Sequence, residues 1–303
     1  MNSKSIQTLL GIVVWVNCYA LSTNAQQWES ESFELRSVDG LQYRIFVAHP
    51  PTPAPASGRP VLYVVDGNAY FPIALRLLQS HSDASPSSLT HLPTLIGIGY
   101  PGDERFDMSR RTFDLTTAAE PANLPPRRDG SAWPKSGGAD QFLDFIARTL
   151  RPRLTNSYSL NMNQQAIFGH SFGGLFVLHA FFERPQLFQT YFAASPSGWW
   201  NDYALLDAER RFAARPDLPL TTKRLVITVG ESELLPGKGP AAALAPTDAK
   251  RAFGTTEDFC QRLDKLNRDR LELHFDVFAG LNHGASAEAA LENAIQMLNS
   301  MTQ

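Results

Sequence analysis

One stretch constrains the fold of this chain more than any other: Gly169-His170-Ser171-Phe172-Gly173-Gly174. Before it, Gln165-Ala166-Ile167-Phe168 is a short apolar run that reads as a buried strand. After it, residues 175–182 are apolar nearly all round and read as a buried helix. Strand, G-x-S-x-G, helix is the context of a nucleophile elbow, a sharp turn that lifts a serine clear of a sheet. The residue types follow from the chemistry. A serine hydroxyl is a weak nucleophile unless it is held beside a base. Glycines without Cβ let strand and helix approach closely, and the backbone N–H of Phe172 points where an oxyanion would form. The plainer alternative is a Gly-rich turn with an incidental serine, so the rest of the chain must decide.

The chain has 303 residues with 43% hydrophobic content, ordinary for a globular protein with a full core. The beginning reads differently. Lys4 is the sole charge before Glu29, residues 6–21 are apolar apart from Gln7, Thr8 and Asn17, and small residues lead to Ala25. This pattern is expected of a secretory signal peptide over residues 1–25, leaving one domain over residues 26–303. The uninterrupted apolar part is shorter than the roughly 20 residues of a membrane span, and Trp15-Val16-Asn17 before Cys18 is a poor lipid-attachment context. Cleavage would remove Cys18 and leave Cys260 without a partner, so no intramolecular disulfide is expected. A net charge of −3 argues against nucleic-acid binding. There is no zinc-type Cys/His spacing, dinucleotide fingerprint or P-loop, so no cofactor or metal is expected.

Taken in order, residues 33–38 and 42–48 alternate around Asp39-Gly40 and predict a hairpin. A proline-rich loop follows, then a buried strand over 61–65 ending at Asp66-Gly67-Asn68, and a helix over 70–79. The next strand is 94–100. Residues 101–138 are long, polar and irregular and read as a functional or disordered loop. An amphipathic helix over 139–154 is expected to end at Pro152. After the elbow come a strand over 189–194, the run Ser195-Pro196-Ser197-Gly198-Trp199-Trp200, and a helix over 202–214. A strand over 225–230 leads to Glu231-Ser232-Glu233. Residues 236–246 read as a mobile Gly/Pro/Ala-rich loop, and 255–267 as a helix. The last strand, 271–278, leads to Leu281-Asn282-His283-Gly284 and a closing helix over 286–298. Alternating strands and helices predict an α/β fold: a mostly parallel central sheet, helices on both faces, and an antiparallel N-terminal edge hairpin.

The α/β-hydrolase order is nucleophile, acid, histidine. Ser171 is followed by a strand ending near Glu233 and then by one ending near His283. Of the seven histidines, His283 alone follows a late strand in a Gly-flanked loop. It can accept the Ser171 proton while a carboxylate holds the imidazolium. Glu233 is the expected acid, with Glu231 and Asp248 as alternatives. Asp66-Gly67-Asn68 lies where this fold places its second oxyanion donor, which would be Asn68 in addition to Phe172, with a plain turn the alternative. Trp199 and Trp200, at a strand's end, are expected near the site, with core packing of one of them the alternative.

These pieces also carry a resemblance. Tyr63-Val64-Val65-Asp66-Gly67-Asn68, the stretch from Ser109-Arg110-Arg111 to Asp114-Leu115-Thr116, Gly137-Gly138-Ala139-Asp140, the elbow, the Ser-Pro-Ser/Trp-Trp segment and Gly280-Leu281-Asn282-His283-Gly284 occur in that order. Together they resemble the esterase D-type α/β hydrolases, and within them the periplasmic esterases that open the trilactone of catecholate siderophores such as enterobactin and salmochelin. Residues 237–246 have no counterpart in that pattern. The resemblance implies a periplasmic serine esterase with Ser171 and His283 as the core pair and a third acid that can be missing or displaced. It implies acyl transfer to water through an acyl-enzyme. Its partner would be a small siderophore ester, iron-loaded or free, received by Arg110 and Arg111 because arginine suits planar oxyanions. Pairing of these arginines with Asp107 or Asp114 is the structural alternative. Two other functions fit the same residues: a generic exported carboxylesterase or feruloyl-type esterase, and a siderophore-binding module without catalysis.

Overall fold

The computed structural model describes residues 28–84, 89, 91–127, 129–215, 222–235, 247–266 and 271–301. The expected signal peptide, Arg128 and the loop over 236–246 lie outside them.

Among the described residues, eight strands form one sheet. β1 (Glu29–Arg36) and β2 (Gln42–His49) make the expected hairpin. β3 (Arg59–Val65) is buried at every residue, as its unbroken β-branched and aromatic run requires of a central strand. β4 (Thr94–Gly99), β5 (Leu160–His170), β6 (Thr190–Ala194), β7 (Lys223–Gly230) and β8 (Leu271–Phe278) complete it. The order is β1-β2-β4-β3-β5-β6-β7-β8. β1 and β2, and β2 and β4, are antiparallel, while all other neighbours are parallel.

Helices cover both faces, as read from the alternation. α1 (Gly67–Ala84) and α10 (Ser286–Met301) pack with Leu62, Val64, Leu95 and Phe168 on one face. On the other, α3 (Ala139–Phe145), α5 (Phe172–Glu183), α7 (Leu205–Ala213) and α9 (Thr256–Lys265) cover Tyr63, Val65, Ile96 and Ile167.

Four local expectations need correction. The first helix begins at Gly67, not Tyr70: Asp66 turns the chain at φ 53°, and its carbonyl accepts from the N–H groups of Ala69 and Tyr70. The 101–138 stretch contains a helix, α2 (Met108–Asp114), whose N-cap Asp107 accepts from Arg110 N. Pro152 does not end the helix that starts at Ala139. A wide π-helical turn (Ile146–Leu150), in which Arg151 N–H reaches Ile146 O five residues back, lets the chain continue as α4 (Arg151–Thr155), since a proline has no N–H to give to the ordinary ladder. The helix expected over 202–214 starts at Leu205. Asn201, Asp202 and Tyr203 all have positive φ and break the short turn α6 (Trp200–Tyr203). The short helix α8 (Asp248–Phe253), capped by Thr247, had no reading in the sequence.

Candidate active site

Ser171 stands between β5 and α5 at φ 62°, ψ −116°, a backbone region that costs a non-glycine residue strain. The turn is held by Ser171 N–H to Ala194 O (3.0 Å) and Leu175 N–H to Ser171 O (3.0 Å). It is too tight for a side chain at Gly169: a Cβ there would lie 2.3 Å from the Gly173 carbonyl oxygen.

His283 hangs from the loop after β8. Asn282 Oδ1 shapes that loop by accepting from Gly284 N and Ala285 N, both at 3.1 Å. His283 Nε2 is 3.0 Å from Ser171 Oγ, and Nδ1 is 2.6 Å from Glu233 Oε2. A carboxylate only accepts, so Nδ1 carries the proton and Nε2 is free to take one from the hydroxyl. Glu233, on the turn after β7, also accepts on Oε1 from Gly230 N (2.8 Å) and Ser195 Oγ (2.7 Å). Burial pushes its carboxyl up, but the hydrogen bond and charge of His283, with Ser195 and Gly230, outweigh that and hold it below the ordinary value. Of the other two candidate acids, Glu231 accepts from Gly280 N (2.7 Å) and Asp248 pairs with Arg251 on the surface. Neither touches His283.

Phe172 N and Asn68 N lie in the first turns of α5 and α1, where backbone N–H groups have no partner inside the helix. The strands that feed these helices, β5 and β3, are neighbours, so both helix N-termini open at the same edge. The Asn68 side chain is occupied elsewhere: Oδ1 accepts from Tyr100 N (2.8 Å) and Nδ2 donates to Tyr100 O (3.1 Å).

Residues 40–258 match the family model Esterase. The chain is 32% identical to the ferri-bacillibactin esterase BesA of Bacillus subtilis over 242 residues, 80% of this chain and 79% of that one. It is 31% identical to the apo-salmochelin esterase of Escherichia coli O6:H1 over 261 residues, 86% and 76% of the two chains. Among solved structures, the BES protein of Bacillus cereus superposes with a TM-score of 0.74 at 28% identity, covering 96% of this chain and 99% of that one. The chain belongs to the esterase family. It is a serine ester hydrolase, and its fold is the α/β-hydrolase fold.

The esterase has a cleft of about 450 Å³ in front of Ser171 and His283, walled by Tyr70, Arg105, Phe106, Met108, Arg111 and Glu288 among others. Its size suits a small molecule. The four residues expected to meet substrate are placed unequally. Arg111 is on the cleft wall but is buried and bidentate to Asp66, with Nε to Oδ1 at 3.1 Å and Nη2 to Oδ2 at 3.0 Å. Arg110 is not on that wall. It pairs with the buried Asp114 (3.2 Å), donates to Gln42 O (3.1 Å) and lies over the Tyr43 and Tyr100 rings. Trp199 and Trp200 are also off the wall. Trp200 is 1% exposed, and its Nε1 donates to Thr117 O (2.9 Å). Both indoles pack with Trp133 and Phe172, bracing Trp133 against the elbow.

Sequence reasoning passed over Arg105, Tyr70, His170, Ser195, Ser197 and Ser286 as site residues of the esterase. Ser197 Oγ lies 3.3 Å from Ser171 Oγ. Ser195 and Ser286 touch at 2.9 Å behind Glu233. Single serines at strand and helix ends carry no periodic signal, so only the assembled sheet shows them. Among the described residues, no three His, Cys, Asp or Glu side chains gather as they would around a metal ion.

Proposed function

We propose that the esterase hydrolyses the trilactone backbone of catecholate siderophores through an acyl-enzyme on Ser171. The observation that carries this reading is the chain of contacts from Ser171 Oγ to His283 Nε2 and from His283 Nδ1 to Glu233. Ser171 attacks a backbone ester carbonyl while His283 takes its proton and Glu233 stabilises the imidazolium. The N–H groups of Phe172 and Asn68 receive the oxyanion. His283 then returns the proton to the leaving alkoxide, and water, deprotonated by the same histidine, releases the acid. The substrate class is supported by the siderophore esterases named above, which this chain matches over most of its length. An iron-loaded substrate is anionic. Arg105, exposed on the cleft wall with its guanidinium 5.7 Å from the Phe106 ring centre, is the cation of this wall that the described residues leave without an ion-pair partner. Opening the ring weakens the chelate and assists release of iron, which travels as cargo. The Lys4 and 6–21 pattern supports export to the periplasm. No helix among the described residues is long and apolar enough to cross a membrane.

The test is chromatography of ferric enterobactin incubated with the wild type and with Ser171→Ala. The expected result is linear trimer, dimer and monomer from the wild type and none from the variant. If the wild type leaves the trilactone intact but cleaves simple chromogenic esters, the generic carboxylesterase becomes the better reading. If it cleaves neither, the binding module does.

A further inference from the structure

His170, beside the proposed nucleophile in sequence, takes no part in the chemistry above, yet it is 5% exposed and bonded at both ring nitrogens. Nε2 lies 2.7 Å from the backbone carbonyl oxygen of His283, and Nδ1 lies 3.1 Å from the Tyr70 hydroxyl. A carbonyl can only accept, so Nε2 carries the proton. Nδ1 is then an acceptor, and Tyr70 must donate to it. Burial, together with the neighbouring His283, pushes the imidazole down to about 3, so it stays neutral. Burial also raises the Tyr70 hydroxyl, which keeps its proton.

The other donor to the same carbonyl is divided. Ser286 Oγ is 3.0 Å from His283 O and 2.9 Å from Ser195 Oγ. Ser195 gives its own proton to Glu233, so the single Ser286 proton must serve either Ser195 or the carbonyl. His170 is nearer the carbonyl and undivided. We infer that His170, with its tautomer set by the His283 carbonyl and its far nitrogen held by Tyr70, is a positioning residue that anchors the His283 main chain so that the imidazole faces Ser171 and Glu233 at once. Its neutrality matters as well. The ring centres of His170 and His283 are 4.8 Å apart, and a charged His170 would oppose the imidazolium that forms during attack.

The inference rests on the proposed role of His283. A folded His283→Ala variant with full activity would remove that role, whereas the following outcomes bear on His170 alone. With a neutral short-chain chromogenic ester, His170→Leu should lower kcat roughly ten- to a hundredfold, the scale of a slightly misplaced catalytic group, and leave KM within about twofold. His170→Gln, whose amide N–H can reach the Nε2 position, should recover much of that loss. The proton on His283 Nδ1, bonded to Glu233 at 2.6 Å, should give a downfield ¹H NMR resonance that is lost or broadened in His170→Leu. Tyr70→Phe should lower kcat severalfold, because His170 Nδ1 loses the donor that holds the ring against the His283 carbonyl. A His170→Leu variant with wild-type kcat and an unchanged resonance overturns the inference. So does a His170→Gln variant no better than His170→Leu when both melt like the wild type. If His170→Leu does not fold, Tyr70→Phe decides: unchanged kcat and an unchanged resonance reject the anchor.

Discussion

Arg110 and Arg111 are adjacent in the chain and answer to carboxylates on different elements. Arg110 meets Asp114 one helical turn away, a pairing legible from i,i+4 spacing. Arg111 meets Asp66, 45 residues earlier, and nothing local in the sequence announces that contact. Removing Arg110 leaves the buried Asp114 without its cation, a change that costs about 3–5 kcal/mol in comparable sites. Arg110→Ala should therefore lower the urea midpoint and leave KM for the ferric trilactone nearly unchanged in the folded fraction. Arg105→Ala should do the reverse. A charge-assisted hydrogen bond is worth about 1.5–3 kcal/mol, so KM for the anionic substrate should rise roughly ten- to a hundredfold, at about 1.4 kcal/mol per tenfold. Turnover of a neutral ester and the urea midpoint should stay put. Equal loss on both esters would take Arg105 out of recognition. His170 adds a pH signature. Its folded pKa, about 3, lies below the 6.5 of an unperturbed imidazole, so below pH 6.5 the unfolded chain binds a proton that the native one refuses. Stability should fall as pH drops from 6.5 towards 3. Urea midpoints at pH 7 and pH 4.5 should converge more in His170→Gln than in the wild type.

At the scale of elements, what was readable depended on whether a signal was local. The elbow, the parallel strands and the closing helix all announce themselves through composition and period. Their bounds shift by a few residues, because strands such as β5 extend into polar flanks where pairing rather than burial sets the end. α2 was hidden because Arg110, Arg111 and Asp114 look like loop residues until tertiary partners remove their charge from solvent. The Asp107 cap and the i,i+4 spacing of Arg110 and Asp114 were its local clues. Pro152 misled for the opposite reason: its rule holds for an ordinary α ladder, and a π turn escapes it. The elbow makes the firmest element-scale prediction. A methyl at Gly169 meets Gly173 backbone, not a flexible side chain, so relief requires α5 to move. Gly169→Ala should cost at least the roughly 1–3 kcal/mol of overpacking and, by displacing Ser171, lower kcat as well. A variant of wild-type stability and rate would mean that the turn is looser than its geometry indicates.

In the whole molecule, Ser171, Glu233 and His283 come from strands that neighbour or nearly neighbour one another, yet Ser171 and His283 are 112 residues apart in the chain. The order serine, acid, histidine was legible because each residue follows a strand. Which carboxylate closes the set was not, since Glu231 and Glu233 differ only in how one turn after β7 directs them. The strand that delivers His283 is also the sheet's last one. Among the described residues β8 has β7 as its one neighbour in the sheet, and its side chains are a mixture of partly covered and open. Trp133, Trp199 and Trp200 sit instead with Phe172 on the packed helical face. Strands held on one side open at lower free energy than a core. Ester hydrolysis should therefore vanish at a lower urea concentration than the shift in tryptophan fluorescence, and simultaneous loss would show that the edge melts with the centre. If the edge does go first, an activity assay of a stressed preparation reports frayed margins and not unfolded molecules. The enzyme would fall silent while nearly all of its interior is still intact, and it should recover on dilution without having to refold.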